Sequence, residues 1–466
     1  MENYQNYFIK DFKGGISSEG HRGPRGSFKY GENLNIRGQD NTLTCNQALK
    51  ADSGAVVVDL VLAFVKGSDG KVYAFGDTGK IYRKSSGTWS EVYDEEVKIT
   101  GAAQFKNNDG SDNYINYLYW ATQTKLKRIK LSDAGGTWAG NVEEHGTFKR
   151  GSADFLHTMR VGVGVLMITD GEYLALTDYE GGFNNHALEL SSGDVGKALL
   201  DRDDRIIIGA EGEALPEGWI FTWDRFADSW VTKRNAQGIS VNGMAFLEGG
   251  VILQVGDEGK IRYYNLLESS PLKQIPETEN TKPGAIVNYK TIPHIGMNGD
   301  KGGVYSLGRL DKNDPIALNL EYKVTGEIGA LLADGDDLYV SWKNGANYGI
   351  SITDDSNKAE ATYQGLEFDA GQPQNDKIFN IIKIHTLPIP KDCEVKVYYK
   401  TTNETSWVET QLADGEDAIT EGMVKGVYMI EGQGERYEVR VDLIPDGNNT
   451  PEVLSINTYF YQGEST

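Results

Sequence analysis

Cysteine is almost missing from this 466-residue chain, which has only Cys45 and Cys393. They lie 348 positions apart, match no metal or disulfide spacing, and read as two structural thiols in a reducing compartment. Histidine is nearly as scarce. His21, His145, His157, His186, His294 and His385 are scattered, with no His-Glu-x-x-His run and no close pair, so no metal centre is expected. Basic charge is in short supply too, because 46 Lys and Arg face 68 Asp and Glu. The net charge of −22 argues against sequence-specific nucleic-acid binding. No run approaches the roughly 18 apolar residues of a membrane helix. The opening Met1-Glu2-Asn3-Tyr4-Gln5-Asn6 has neither a basic nor an apolar leader segment, so a soluble chain made in a cytoplasm without export is expected. No Gly-x-Ser-x-Gly elbow stands between a strand and a helix, and no Gly-x-x-x-x-Gly-Lys-Ser/Thr loop occurs. Neither a cofactor nor an enzymatic activity is expected.

Turn formers and aromatics are plentiful: 56 Gly, 25 Tyr and 15 Phe against 12 Pro. Gly76-Asp77-Thr78-Gly79-Lys80-Ile81 and Gly256-Asp257-Glu258-Gly259-Lys260-Ile261 are nearly one hairpin written twice, 180 residues apart. Each sits between apolar strand-like runs, and its Gly supplies the positive φ that a tight turn needs. Their separation is four periods of about 45, the length of a four-stranded propeller blade. Seven consecutive units fit between about 55 and 370. They run from Val56-Val57-Val58 in the first to Tyr348-Gly349-Ile350-Ser351-Ile352 in the seventh. Each reads as a small apolar strand, then a Tyr- or Trp-bearing strand, then a polar outer strand. Inner strands crowd an axis and outer strands meet water, so radial repetition protects the sheet edges. The expected fold is all-β: a β-propeller of about seven blades over 51–371, then a β-sandwich over 377–466, preceded by an extended N-terminal arm over 1–50. The sandwich is read from long alternating strands such as Glu394–Tyr399 and Tyr437–Leu443, beyond the polar linker Gln372–Asp376.

The first fifty residues are Gly-punctuated and carry seven Lys and Arg against five Asp and Glu, a net +2 that leaves −24 on the remainder. Lys10, Lys13, Arg22, Arg25, Lys29 and Arg37 are the candidate partner-binding residues of this basic arm. Asn33-Leu34-Asn35-Ile36 and Thr42-Leu43-Thr44 read as strands around a Gly38-Gln39-Asp40-Asn41 turn, and Asn33–Thr44 is the candidate strand to close the last blade.

Other constellations have bland readings. Asp133-Ala134-Gly135-Gly136-Thr137-Trp138 resembles the Asp-box of sialidases and related propellers, with Leu131 where its Ser belongs. In that family the box is a turn between outer strands, distant from the chemistry. Asp201-Arg202-Asp203-Asp204 and Asp334-Gly335-Asp336-Asp337 are acidic turns without EF-hand spacing. Trp219, Trp223 and Trp230 suit either sugar stacking or blade packing.

The arm motif Phe12-Lys13-Gly14-Gly15-Ile16, the strand Leu34-Asn35-Ile36 and the closing Thr450-Pro451-Glu452-Val453-Leu454-Ser455-Ile456 with Tyr459-Phe460-Tyr461 resemble the two ends of tailed-bacteriophage virion structural proteins. The resemblance implies a non-enzymatic part of a phage tail or neck, of the nozzle-like ring kind, made in the host cytoplasm. Its implied partners are other copies of itself in a ring, held by the arm and β domains, and neighbouring tail or neck proteins. It implies no catalytic, cofactor or metal residues. A second expectation is a carbohydrate-directed propeller, either a lectin-like receptor binder or a glycan hydrolase. A hydrolase of that kind would need convergent carboxylates at the propeller axis.

Overall fold

The computed structural model describes residues 5–38, 41–52, 57–108, 114–152, 156–191, 193–202, 205–212, 215–256, 259–275 and 277–462. Two compact units emerge. One comprises Ala51–Gly303 with Val324–Ile352, the other Met1–Lys50, Val304–Lys323 and Thr353–Thr466.

The first unit is the propeller. Its innermost strands are Val61–Lys66, Gly101–Asn108, Met159–Gly162, Asp194–Arg202, Val241–Leu247, Ile286–Tyr289 and Glu327–Asp334. Each contacts the next, and the last contacts the first, so seven blades close into a ring. Blades one to five are complete four-stranded antiparallel sheets, ending at Asp94, Thr147, Glu189, Asn235 and Gln274. Second strands such as Val165–Asp170 and Gly250–Val255 are buried at every position. Neighbouring blades cover both of their faces, which is why they read as unbroken apolar runs rather than alternation. Outer strands such as Thr88–Asp94 are mostly exposed.

The cores lie between blades. Tyr73, Trp120 and Trp138 fill the space between blades one and two, and Val61, Trp89, Tyr339 and Ile350 that between one and seven. Each such side chain contributes roughly 2 kcal/mol of burial. The twin hairpins join the second and third strands of blades one and five, with Phe75 paired to Ile81 and Val255 to Lys260. Gly79 takes φ +113°, as the turn requires; Asp257 and Glu258 lie outside the described residues, as does Val56.

In the sheet of Glu327–Asp334, Asp337–Asn344 and Asn347–Lys358, the fourth position belongs to Gln47–Ala51 rather than to Asn33–Thr44. Leu34–Asn35 instead pairs with Thr44–Cys45 in a ribbon of its own, because Leu34, Ile36 and Leu43 are buried within the second unit.

That second unit is the sandwich. One sheet has the order Gln5–Ile9, Val453–Gln462, Lys377–Thr386, Lys425–Gly434, Gln411–Leu412. The other contains Ala317–Lys323, Tyr30–Glu32, Ala361–Gln364, Tyr437–Ile444, Glu394–Thr401 and Val408–Glu409. The N-terminal fifty residues are therefore woven into both sheets. Gln5–Ile9 forms the edge of one, and Tyr30–Glu32 runs parallel to Ala317–Lys323 and antiparallel to Ala361–Gln364 in the other. Gly15 makes this possible. Its φ is +71°, and a Cβ there would lie 2.5 Å from Leu318 O.

Candidate functional site

The seven inner strands surround an axial cavity of about 190 Å³. Its wall is aliphatic and backbone-rich: Leu62, Leu200, Met244 and Leu331 stand among Gly101, Gly243 and Gly284. The glycines let the blades converge, since a Cβ on Gly101 would sit 1.9 Å from His157 O and one on Gly284 2.3 Å from Leu62 O. Among the described residues lining the cavity there is one charged side chain, Arg160, and no carboxylate.

Thr100 and His157 also line the cavity, and Asp170 stands in line behind them. Thr100 Oγ1 is 2.7 Å from His157 Nδ1, and Asp170 Oδ1 is 3.5 Å from Nε2. Hydroxyl, imidazole and carboxylate are the components of a nucleophilic triad, and nothing in the spacing of these residues along the chain signals the grouping. Here they are packed into the fold. All three are buried, Phe148 stacks on the imidazole at 4.2 Å, and Thr100 Oγ1 also reaches the Ala121 and Thr122 carbonyls at 3.2 and 3.3 Å. Burial pulls the His157 pKa down, against the pull of Asp170 in the other direction. Asp170 accepts the Arg150 and Gly151 amides at 2.9 Å, so the group ties the turn at 150–151 to the strand ahead of it.

The six arm cations have different fates. Lys13 meets Asp314 at 3.3 Å, and Lys29 meets Glu438 at 2.9 Å and Glu367 at 3.3 Å. Burial alone would lower the Lys29 pKa, but those two carboxylates raise it. Arg37 donates to Ser306 Oγ at 2.6 Å and to Ala317 O at 3.1 Å, with Glu321 at 3.6 Å. Burial pulls its pKa down while Glu321 opposes the shift. These three are spent inside their own unit. Arg25 pairs with Asp11 at 3.2 Å yet stays exposed. Lys10 and Arg22 are exposed, and Arg22 borders a surface pocket with Glu367, Asp369 and Arg436.

A third feature was not foreseen from sequence. Tyr114, at the start of the second strand of blade two, and Tyr179 and Phe226, on turns of blades three and four, are 49%, 43% and 77% exposed. Tyr114 and Tyr179 meet edge to face at 6.2 Å, and the Arg225 guanidinium lies 4.6 Å from the Phe226 ring. Gly164 lies beneath both groups, where a Cβ would come within 3.2 Å of Tyr179 and 3.5 Å of Arg225. The result is one aromatic and cationic strip across three blades.

The remaining candidates are structural. Trp138 is buried and donates to Ala134 O at 3.1 Å, so the Asp-box-like stretch is a packed turn between the third and fourth strands of blade two. Trp223 is buried, and Trp219 and Trp230 pack beside it. In the second acidic turn Asp334 is paired with Lys66, while Asp203 and Asp204 of the first lie outside the described residues. Among the described residues no group of three His, Cys, Asp or Glu is arranged to hold a metal. Cys45 and Cys393 are both buried and free, and burial pushes the Cys45 thiol up to about 12.

No family model and no curated protein matches the chain. Solved structures similar to it include the extracellular domain of a protein described as a one-component system of B. thetaiotaomicron, at 12% identity and TM-score 0.46. That match covers 72% of this chain, which spans only 43% of the other. The computationally designed Ika8 protein matches at 14% identity and TM-score 0.43 over 66% of this chain and 99% of its own. A Thermus thermophilus protein described as an oxidoreductase (glucose dehydrogenase) matches at 12% identity and TM-score 0.41, over 66% and 99%. Likenesses this distant bear on neither family nor chemistry.

Proposed function

We propose that the chain is a non-enzymatic structural component of a phage tail or neck, present in several copies beside neighbouring tail or neck proteins. One observation carries this reading. The motifs that resemble virion proteins are the residues that lock the sandwich. Phe12 and Ile16 are buried, Thr450 Oγ1 accepts the Cys45 amide at 2.9 Å, and Leu43 and Val453 exchange backbone hydrogen bonds at 3.0 Å. Both ends of the chain thus meet in one body, which suits a part that bears load rather than one that turns over substrate. The aliphatic axial wall supports the same reading. Because Lys13, Lys29 and Arg37 are engaged internally, assembly through residues 1–50 falls to Lys10, Arg22 and Arg25. The test is to purify particles, by density gradient, from a culture that expresses the chain naturally. Stoichiometric copies in the particle support the reading, and absence from particles overturns it.

The strip of Tyr114, Tyr179 and Phe226 favours a second reading, a lectin-like propeller that binds a receptor glycan by stacking sugars on exposed rings. Retention on a glycan array that is lost in Tyr179→Ala and Phe226→Ala would support it. No retention of the parent protein on any sugar would overturn it.

A further inference from the structure

The five-stranded sheet of the sandwich has an inner face that the fold uses and an outer face that it leaves open. Phe379, Ile382, Tyr428, Ile430, Ile456 and Phe460 are buried on the inner side. Outward, the register lines up cross-strand rows. Lys425 is level with His385, and Lys383 with Val427 and Asn457, the latter opposite Phe8. In the next row Met429, Ile381 and Tyr459 stand side by side. Beyond Met429 on its strand comes the exposed Glu431.

The face is therefore graded along its strands from cationic, through apolar and aromatic, to acidic. Met429 is 59% exposed and Phe8 49%. Lys383 Nζ lies 4.4 Å over the Tyr459 ring, and Lys10, Lys383 and Lys425 make no ion pair among the described residues. Asn457 Oδ1, on the same face, is shielded from water and has no hydrogen-bond partner.

We infer that this face is a homotypic interface, occupied by the same face of a second copy of this chain. The argument is self-complementarity. A two-fold axis through the Met429–Ile381–Tyr459 region lays the apolar centres on each other and sets Lys383 and Lys425 of each copy against Glu431 of the other. The size is adequate. Three ten-residue strands with edge strands of five and two residues, spaced about 4.8 Å with a rise of about 3.3 Å per residue, give roughly 600 Å² per copy. That approaches the roughly 800 Å² per partner of a standard interface, and stacked sheets of this kind settle about 10 Å apart. The inference goes beyond the proposed function, since it needs only a second copy and no virion.

The test is sedimentation velocity of the full chain from about 1 to 100 μM, with circular dichroism to verify that each variant is folded. The parent protein should show a reversible monomer–dimer equilibrium. Met429→Lys and Lys383→Glu, both at positions that solvent reaches, should each weaken it by at least about tenfold. Combining Lys383→Glu with Glu431→Lys should restore it to within about threefold, because the reversed charges meet in trans. A parent that stays monomeric at 100 μM, or association indifferent to Met429→Lys, would overturn the inference. So would a double variant no better than Lys383→Glu alone.

Discussion

Closing a seven-bladed ring requires the last blade to grip the first, and the inner strands do this partly through one hydroxyl. Ser341, fully buried on the second strand of blade seven, donates to Val61 O of blade one at 2.7 Å. The same oxygen accepts the Ala330 amide at 2.9 Å. The register between Glu327–Asp334 and Asp337–Asn344 slips between Ile328 and Leu331, and this bulge takes the Ala330 amide out of the regular ladder. Ser341→Ala would therefore orphan a carbonyl and an amide at once. Each buried, unsatisfied backbone group costs about 1–3 kcal/mol, and the gap left by one oxygen is too small for a water to repair. A loss of about 2–4 kcal/mol is expected. Urea unfolding followed by tryptophan fluorescence measures it, with Ser90→Ala on the exposed outer strand of blade one as control, expected to stay within about 0.5 kcal/mol. If Ser341→Ala moves stability by less than about 1 kcal/mol relative to that control, the hydroxyl does not join the ring and the account of closure fails.

Gly101→Ala would drive a Cβ to 1.9 Å from His157 O, so blades two and three must separate; a loss of about 3 kcal/mol or an insoluble product is expected, read by the soluble yield and by urea unfolding. Trp138→Ala should cost about 3–5 kcal/mol, whereas Asp133→Ala should cost less than about 1, the ranking expected of a packed turn; equal effects would contradict it. His145, shielded by burial and near Arg128, has its pKa lowered to about 4. Its contribution to stability is therefore complete above about pH 6.5 and is lost as pH falls towards 4, by up to about 3 kcal/mol, and His145→Gln should flatten that part of the stability profile. Both thiols should resist an aromatic disulfide reagent in the native protein at pH 8 and react fully in denaturant, whereas rapid native labelling would show that Cys45 is not held as described.

The propeller was legible because its signal repeats. Two hairpins set 180 residues apart fix the period, and blade strands covered on both sides carry apolar runs such as Val165-Leu166-Met167-Ile168 and Val251-Ile252-Leu253. The sandwich was legible through alternation after Gln372, but its membership was not. Tyr30–Glu32 is too short to signal a strand, and the place of both it and Gln5–Ile9 depends on pairing with residues more than 280 positions away. Charge counting marked Lys13, Lys29 and Arg37 as free to meet a partner, although their carboxylates, Asp314, Glu438, Glu367 and Glu321, lie hundreds of residues downstream. The same holds for Thr100, His157 and Asp170 and for Tyr114, Tyr179 and Phe226, which become neighbours only when separate strands and turns converge. Composition reports which groups exist; only the register decides which of them meet.

One local signal does reach from sequence to function. Val427-Tyr428-Met429-Ile430 is an unbroken apolar run in a sheet whose other strands largely alternate, and Tyr459-Phe460-Tyr461 repeats the feature two strands away. A strand with both faces apolar is one with both faces covered. In the propeller this rule is satisfied within the chain: Val251-Ile252-Leu253 is such a run on Gly250–Val255, and every residue of that strand is buried. In the sandwich the same pattern buries Tyr428 and Ile430 but leaves Met429 59% exposed. Lys425 and Glu431, on either side of the run on the same strand, carry the charge that a solvated outer face takes. The apolar centre flanked by opposite charges is thus better explained by a contact than by the fold, and the register makes that contact complementary to itself.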